Sequence, residues 1–185
     1  MKQEWIERAL AIYRRHGLID EKTIIQETDM LVIYQVASMA DANDISNSKA
    51  NIEAFKRRIE YVGNVGKSYR MAYHEYLRYS VGDRLAKIAI SMLVYASKWH
   101  CSFVRNKENI ASWANDLTVD ADMRHVDLRR SCITIAINML DIPFISARWD
   151  FLYAWAEAYG IDLDWHIEQR LKYDEFNLSK TRFLL

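Results

Sequence analysis

The sequence predicts an all-α protein. Hydrophobic residues make up 51% of the 185-residue chain, which contains only 5 glycines and 1 proline. Many short strands would need more turn-forming residues than this. Apolar positions also recur with helical spacing along almost the whole chain. Because the length suits one domain with a sizeable core, and no linker or repeat divides it, we expect residues 1–185 to form a single helical bundle.

The helical period defines a series of expected helices. In chain order they cover residues 3–16, 21–42, 51–61, 67–79, 81–100, 107–115, 125–140, 148–159 and 163–173. Helices of this length are usual in globular domains, where their apolar faces pack against one another.

The first two helices are separated by residues typical of helix ends. One face of the first helix carries Trp5, Ala9, Ile12 and Tyr13. Gly17 follows where a C-terminal stop is expected, and Asp20 is a candidate N-cap for the second helix. The polar stretch 43–48 after that helix has the composition of a loop.

The middle of the chain contains the most apolar helix, 81–100, which we expect at the centre of the bundle. The break 63–66, with a glycine at each end, separates the two helices before it. Basic residues and tyrosines alternate along 56–79, a mixture that can bind single-stranded nucleic acid. However, Tyr69, Tyr73 and Tyr76 have the spacing of a core stripe, so we favour burial or a subunit contact.

Aromatic residues dominate the last helices. After 107–115 and 125–140, Pro143 interrupts the helical pattern. The next helix repeats an aromatic side chain every four residues, at Phe151, Trp155 and Tyr159, and we expect this face to be buried. Gly160 marks its end, and Asp162 is placed to cap the final helix.

Charge and targeting features indicate a cytoplasmic protein without a nucleic-acid or membrane partner. The formal net charge is zero, and no apolar run approaches the roughly 20 residues of a membrane span. Glu4 and Glu7 interrupt the N-terminus, where a signal peptide would be apolar. Cys101 and Cys132 lack metal-binding or redox spacing, so we expect free thiols. The 5 histidines show no metal-binding spacing either.

Three stretches together resemble the MazG-like, all-α nucleoside triphosphate pyrophosphatases. They are LVIYQVASMADAN at 31–43, SVGDRLAKIAISMLVYA at 80–96 and YGIDLDWHIEQRLKY at 159–173. The resemblance implies core helices at about 21–43 and 80–100, an insertion at about 102–148 and C-terminal helices at about 148–174. It also implies a homodimer or homotetramer.

The family's metal ligands are missing from the matching positions. Its signature is Glu-x-x-Glu on one core helix and Glu-x-x-Asp on the other, and such pairs converge four carboxylates on a magnesium ion. Here those positions hold Gln35, Ser38, Arg84 and Lys87. Since two neutral and two cationic side chains replace four acids, we expect no divalent metal and no cofactor.

Other residues of the resembling segments keep ligand-binding chemistry. Asp41 and Asp83 keep acids beside the lost ligands, and Lys172 and Tyr173 match the end of a block whose continuation supplies groups for a nucleotide's phosphates in the family. The His-Gly-Lys of that continuation is absent here. Asp174 replaces that block's asparagine. We therefore take Arg84, Lys87, Asp41, Asp83, Lys172 and Tyr173 as the candidate ligand-binding set.

Two interpretations of Arg84 and Lys87 are open. They form a solvated face with salt bridges, Arg84 to Asp41 and Lys87 to Asp83, which is the more common state of long charged side chains. Alternatively, the two cations contact the oxygens of a phosphorylated ligand directly.

The resulting expectation is a catalytically inactive MazG-like protein with a binding or assembly role, whose candidate ligand is a nucleotide or another phosphorylated molecule. One alternative is an active pyrophosphohydrolase that holds Mg²⁺ with Asp41, Asp44 and Asp83. Another is a purely structural interaction module.

Overall fold

The computed structural model describes residues 3–16, 42, 45–98, 104–119 and 145–177. All regular elements in these ranges are helices, which confirms the all-α class. In chain order they are α1 (Gln3–Arg15), α2 (Ile45–Val62), α3 (Gly66–Tyr76), α4 (Val81–Lys98), α5 (Lys107–Val119), α6 (Ile145–Ala158) and α7 (Leu163–Phe176). No helix within them is both long and apolar enough to cross a bilayer.

Helix α4 lies at the centre of the bundle, as its composition predicts. Every side chain from Val81 to Val94 is buried. α4 packs against α1, α6, α7 and, more lightly, α2. A helix that is buried on all sides gains most of its stability from this packing rather than from helix propensity.

Helix α1 covers one side of α4 through the predicted apolar face. Trp5, Ala9, Ile12 and Tyr13 are at most 3% exposed. Arg8, beside this face, joins α1 to α7 by ion pairs to Glu168 and Glu175, at 2.5 and 2.6 Å. α1 therefore fixes the position of the helix that completes the candidate site.

A second, aromatic core fills the space between α2, α3 and α7. Tyr69 and Tyr73 are fully buried there against Phe55, and Tyr173 stacks on Tyr73 with 4.4 Å between ring centroids. The tyrosine stripe is confirmed as core at these two positions, whereas Tyr76 is only partly buried.

The aromatic face of α6 packs mainly against α5, as its four-residue repeat predicts. Phe151 and Trp155 are buried, and Tyr159 is partly buried at the edge of the same core. Trp113 of α5 meets Phe151 edge to face, with ring centroids 5.7 Å apart.

The capping predictions for the last helix are confirmed. The Asp162 side chain accepts a hydrogen bond from the Trp165 backbone N–H at 3.0 Å. Gly160, just after the end of α6, has a φ of 66°. Residues with a Cβ rarely adopt this left-handed conformation. The chain thus turns sharply from α6 into α7.

Several predicted boundaries were wrong. Residues 45–48 are helical rather than a loop, because α2 begins at Ile45. Ser48 is buried on the inner face of α2. Its Oγ accepts a hydrogen bond from the Val81 N–H at the start of α4, which compensates the burial of this polar side chain. α7 continues past Tyr173 to Phe176, since Asp174 pairs with Arg170 one turn earlier.

The remaining boundary differences are smaller. α3 ends at Tyr76 rather than at 79, α5 extends to Val119, and α6 begins at Ile145. The helices expected at 21–42 and 125–140, both cysteines, Pro143 and the chain end from 178 lie outside the described residues.

Substituting Gly82 with alanine is expected to destabilise the protein by about 1–3 kcal/mol, because a Cβ there would overlap the buried His166 ring. Chemical denaturation measures this cost. In a His166→Ala background the same substitution should be neutral or stabilising, because the ring is gone and alanine favours helix. An equal cost in both backgrounds would contradict the close contact.

Candidate functional site

Five charged side chains meet inside the bundle where α4 crosses α7. Asp83, Arg84 and Lys87 come from the first two turns of α4, and Arg170 and Asp174 come from the last two turns of α7. Each of these residues is at most 6% exposed. We call this set the charge cluster. Burying so many charges costs free energy unless each one has a partner. The pairing within the cluster therefore shows which charges are compensated by the fold.

Asp83 is held by α3 and α7. Its Oδ1 accepts hydrogen bonds from Tyr73 Oη and, at 3.0 Å, from Arg170 Nη1. Burial opposes ionisation of this carboxyl, but Arg170, Lys87, Tyr73 and Arg84 together lower its pKa below the usual value. Asp83 is therefore a carboxylate inside the bundle, fixed by two partners.

Arg170 links the two acids of the cluster. Its Nε donates to Asp174 Oδ2 at 2.8 Å, one turn along α7. Burial raises the pKa of Asp174, although Arg170 opposes this shift. The two carboxylates raise the pKa of Arg170 well above its ordinary value despite burial. Arg170 is thus fully compensated and has a structural role.

Lys87 is much less well compensated. Burial, followed by repulsion from Arg170, lowers its pKa to about 7, while Asp83 favours the charged form. One turn further along α4, the Ser91 hydroxyl donates to the Lys87 backbone carbonyl oxygen and contacts Tyr13 Oη of α1, both at 3.1 Å. Near neutral pH the Lys87 side chain is therefore present in comparable amounts as the charged ammonium and the neutral amine.

Arg84 faces the outer end of the cluster. Its guanidinium lies 5.2 Å from the centre of the Tyr79 ring, and the Arg78 guanidinium lies 5.3 Å from the same ring. The Arg84 Nε is buried, and no described residue accepts a hydrogen bond from it. Tyr79 is 42% exposed, so this end of the cluster lies close to the protein surface.

The charges of the cluster do not balance. Three cationic side chains face two carboxylates, and Arg170 occupies both acids. Among the described residues, no acid lies within 4.0 Å of the Arg84 or Lys87 nitrogens. The cluster therefore has a formal excess of one positive charge whenever Lys87 is protonated.

The predicted site residues are brought together only in part. Arg84, Lys87 and Asp83 meet in the cluster, and Tyr173 packs beside it, with its ring 5.2 Å from the Arg170 guanidinium. Lys172 points elsewhere, because its ammonium donates to Asn64 and lies 4.8 Å from the Tyr69 ring. Gln35, Ser38 and Asp41 lie outside the described residues.

The expectation of a solvated face at Arg84 and Lys87 was wrong. Both side chains are buried because α4 is covered on all sides. The expected Lys87–Asp83 salt bridge was also wrong, since Asp83 pairs instead with Arg170. The proposed bridge from Arg84 to Asp41 falls outside the described residues.

Sequence reasoning missed Arg170 and the role of Asp174. Their i, i+4 spacing was a usable signal, because such pairs face each other on a helix. The pairing of Arg170 with Asp83 had no local signal, since the two residues are 87 positions apart.

The charge cluster does not fit a divalent metal. Cations outnumber acids, and each carboxylate already binds Arg170. In the ranges that the structure describes, no group of three or more His, Cys, Asp or Glu side chains is arranged to hold a metal ion. The electrostatics favour an anion instead, since a negative group would pair with the uncompensated cations.

Comparisons with known proteins place the chain in no family. Models of protein families, curated proteins and solved structures all gave no significant match. The function therefore has to be argued from the cluster itself.

Proposed function

We propose that this protein is a MazG-like helical bundle that binds a phosphorylated ligand at Arg84 and Lys87 without metal and without hydrolysing it. The observation that carries the proposal is the pair of buried cations for which the described residues supply no ion-pair partner. The family remains an inference from sequence resemblance, as does assembly into a homo-oligomer.

Energetics favour a binding role over a purely structural one. A buried ammonium whose pKa falls to about 7 weakens the folded state, and an apolar side chain of similar size would fill the same space at lower cost. A phosphate oxygen would supply the missing counter-charge at Lys87 and a hydrogen-bond acceptor for Arg84 Nε. Binding would thus offset the free energy that burial of Lys87 and Arg84 costs the folded protein.

The position of Arg84 gives a route for such a ligand. Its guanidinium lies next to the half-exposed Tyr79 ring. Arg78 places a second guanidinium near the same ring. A chain of phosphates could therefore approach along Arg78 and Tyr79, meet Arg84 first and reach Lys87 with its terminal group. This order explains why a polyphosphate suits the site better than a single phosphate ion.

The same geometry gives little support to hydrolysis. Hydrolysis would need a Lewis acid to lower the pKa of an attacking water molecule, and the excess of cations in the cluster disfavours the metal ion that would supply one. Asp83 and Asp174 each keep one buried carboxylate oxygen to which no group in the described part of the chain donates a hydrogen bond, and this feature favours the alternative of a rebuilt metal site. Both acids nevertheless share Arg170 and lie near Lys87, so a divalent cation would meet strong repulsion.

Calorimetric titration with inorganic tripolyphosphate in EDTA tests the binding proposal. We expect saturable binding that Arg84→Gln weakens by about tenfold or more, because a charge-assisted contact is lost. The matched control, Arg57→Gln, changes an exposed arginine of α2 and should bind like the wild type. Equal affinity of both variants, or no binding by the folded wild type, would contradict the proposal.

Pyrophosphate release from nucleoside triphosphates, measured with Mg²⁺ or Mn²⁺, separates binding from catalysis. We expect no turnover. Turnover that Asp83→Asn abolishes would instead establish the active pyrophosphohydrolase with rebuilt metal ligands. Absence of both binding and turnover would favour the structural interaction module.

A further inference from the structure

A separate cavity lies at the start of α4, next to the charge cluster but lined by other residues. It occupies about 370 Å³ between α2, the first turn of α4 and the first turn of α7. Gly82, which lines it, is two positions from Arg84 on the helix and so faces almost the opposite direction. Because no residue of the cluster lines this cavity, it requires its own explanation.

The walls of the cavity are mainly apolar and include one large aromatic ring. Ile52, Val81 and Ile161 contribute aliphatic surface, and Trp165 contributes its indole. Phe55 and His166 hold the indole in place through edge-to-face contacts, with centroids 6.0 and 4.8 Å away. A cavity of this size, with a fixed aromatic wall, suits a small flat molecule.

The charged rim favours an anion. Lys49 and Lys56 line the opening together with Glu53 and Asp162. Glu53 pairs with Lys56 at 2.9 Å, and Asp162 caps α7, so both acids are already engaged. Among the described residues Lys49 forms no ion pair, and its ammonium is 3.8 Å from the position a Cβ would take on Gly160. The side chain of Lys49 therefore extends over the cavity mouth.

A buried histidine adds an unmet hydrogen-bonding group. His166 lines the cavity and is 1% exposed, and its buried Nδ1 finds no hydrogen-bond partner among the residues that the structure describes. Burial lowers the pKa of His166 to about 4, so the ring is neutral. Leaving such a nitrogen unpaired costs free energy, and a polar group of a bound molecule could satisfy it.

We propose that this cavity binds a small aromatic carboxylate, with its ring against Trp165 and its carboxylate between Lys49 and His166. The first turn of α4 adds a favourable partial positive charge on the same side. This site is independent of the phosphorylated-ligand site, so each can fail without the other.

Titration with benzoate, followed by NMR and tryptophan fluorescence, tests this proposal. We expect saturable binding by the wild type at concentrations up to about 10 mM. Lys49→Gln should weaken it by about three- to tenfold, because the rim loses its unpaired charge. Ile52→Trp should abolish it by filling the cavity. Lys107→Gln, which changes an exposed lysine of α5, is the control and should have no effect.

Two comparisons complete the test. Benzyl alcohol, which keeps the ring without the charge, and acetate, which keeps the charge without the ring, should each bind at least tenfold more weakly than benzoate. Saturating tripolyphosphate should not displace benzoate. No benzoate binding by the folded wild type, or equal binding by Lys49→Gln and wild type, would overturn the proposal.

Discussion

Replacing Lys87 with methionine is expected to stabilise the protein by about 1–3 kcal/mol at pH 7, although it removes a charged residue from an ionic cluster. Methionine fills a similar volume without the cost of burying an ammonium. The stabilisation by methionine should depend on pH, because the pKa of Lys87 is about 7 in the folded state and 10.5 for an ordinary, solvated lysine.

The direction of this dependence follows from proton binding. Between these two pKa values the unfolded chain holds more protons on Lys87 than the folded chain does, so the wild type gains stability as pH rises. The free energy of unfolding of the wild type should rise with a slope that approaches about 1.4 kcal/mol per pH unit between about pH 7 and 9, and the advantage of Lys87→Met should shrink by the same amount. Below pH 7 the destabilisation by Lys87 is present in full.

Denaturation curves of wild type and Lys87→Met across this pH range measure the effect. Their difference isolates Lys87 from the tyrosines and other groups that titrate in both proteins. Lys56→Met, which alters an exposed lysine of α2, should show no comparable pH-dependent gain. A pH-independent difference, or a less stable Lys87→Met protein at pH 7, would contradict the assigned environment of Lys87.

Replacing Arg170 with methionine is expected to have the opposite effect and to cost about 3–5 kcal/mol. The change removes the partner of both Asp83 and Asp174 and leaves two carboxylates buried together. The free energy of unfolding, from chemical denaturation, measures this loss. It should shrink at acidic pH, where protonation of the two acids relieves their repulsion.

Arg105→Met is the matched control for Arg170. Arg105 also pairs with an acid, Asp164, at 2.5 Å, but both side chains are about one-third exposed. Its loss should therefore cost only about 1 kcal/mol or less. Similar costs for Arg170→Met and Arg105→Met would show that burial gives the Arg170 pairs no special importance.

Opposite outcomes at Lys87 and Arg170 would separate two roles within the cluster. Arg170 compensates the acids and holds α7 against α4. Lys87 weakens the fold and is retained, in our proposal, for its charge. A residue that lowers stability while strengthening ligand binding is typical of a functional site.

Local sequence patterns were sufficient for much of the fold. The apolar face of α1, the central position of α4 and the Asp162 cap were predictable because each depends on residues within a few turns. The start of α2 was not, because Ser48 is accommodated by a hydrogen bond to α4 that local composition does not reveal.

The candidate site was less predictable than the helices. Sequence resemblance selected Arg84 and Lys87, but their burial depends on how other helices cover α4. The compensation of Asp83 depends on Arg170, far away in sequence, and was invisible to helical spacing. The cavity beside His166 was likewise not predictable, because its walls come from α2, α4 and α7, which are far apart in sequence.

The most direct test of the central claim compares the denaturation midpoints of wild type and Lys87→Met, with and without tripolyphosphate, in EDTA at pH 7. We expect the ligand to stabilise the wild type. Lys87→Met should be more stable without ligand and should gain little or nothing from it. Equal ligand-induced stabilisation of both proteins, or none in either, would contradict the proposal that this buried lysine binds a phosphorylated ligand.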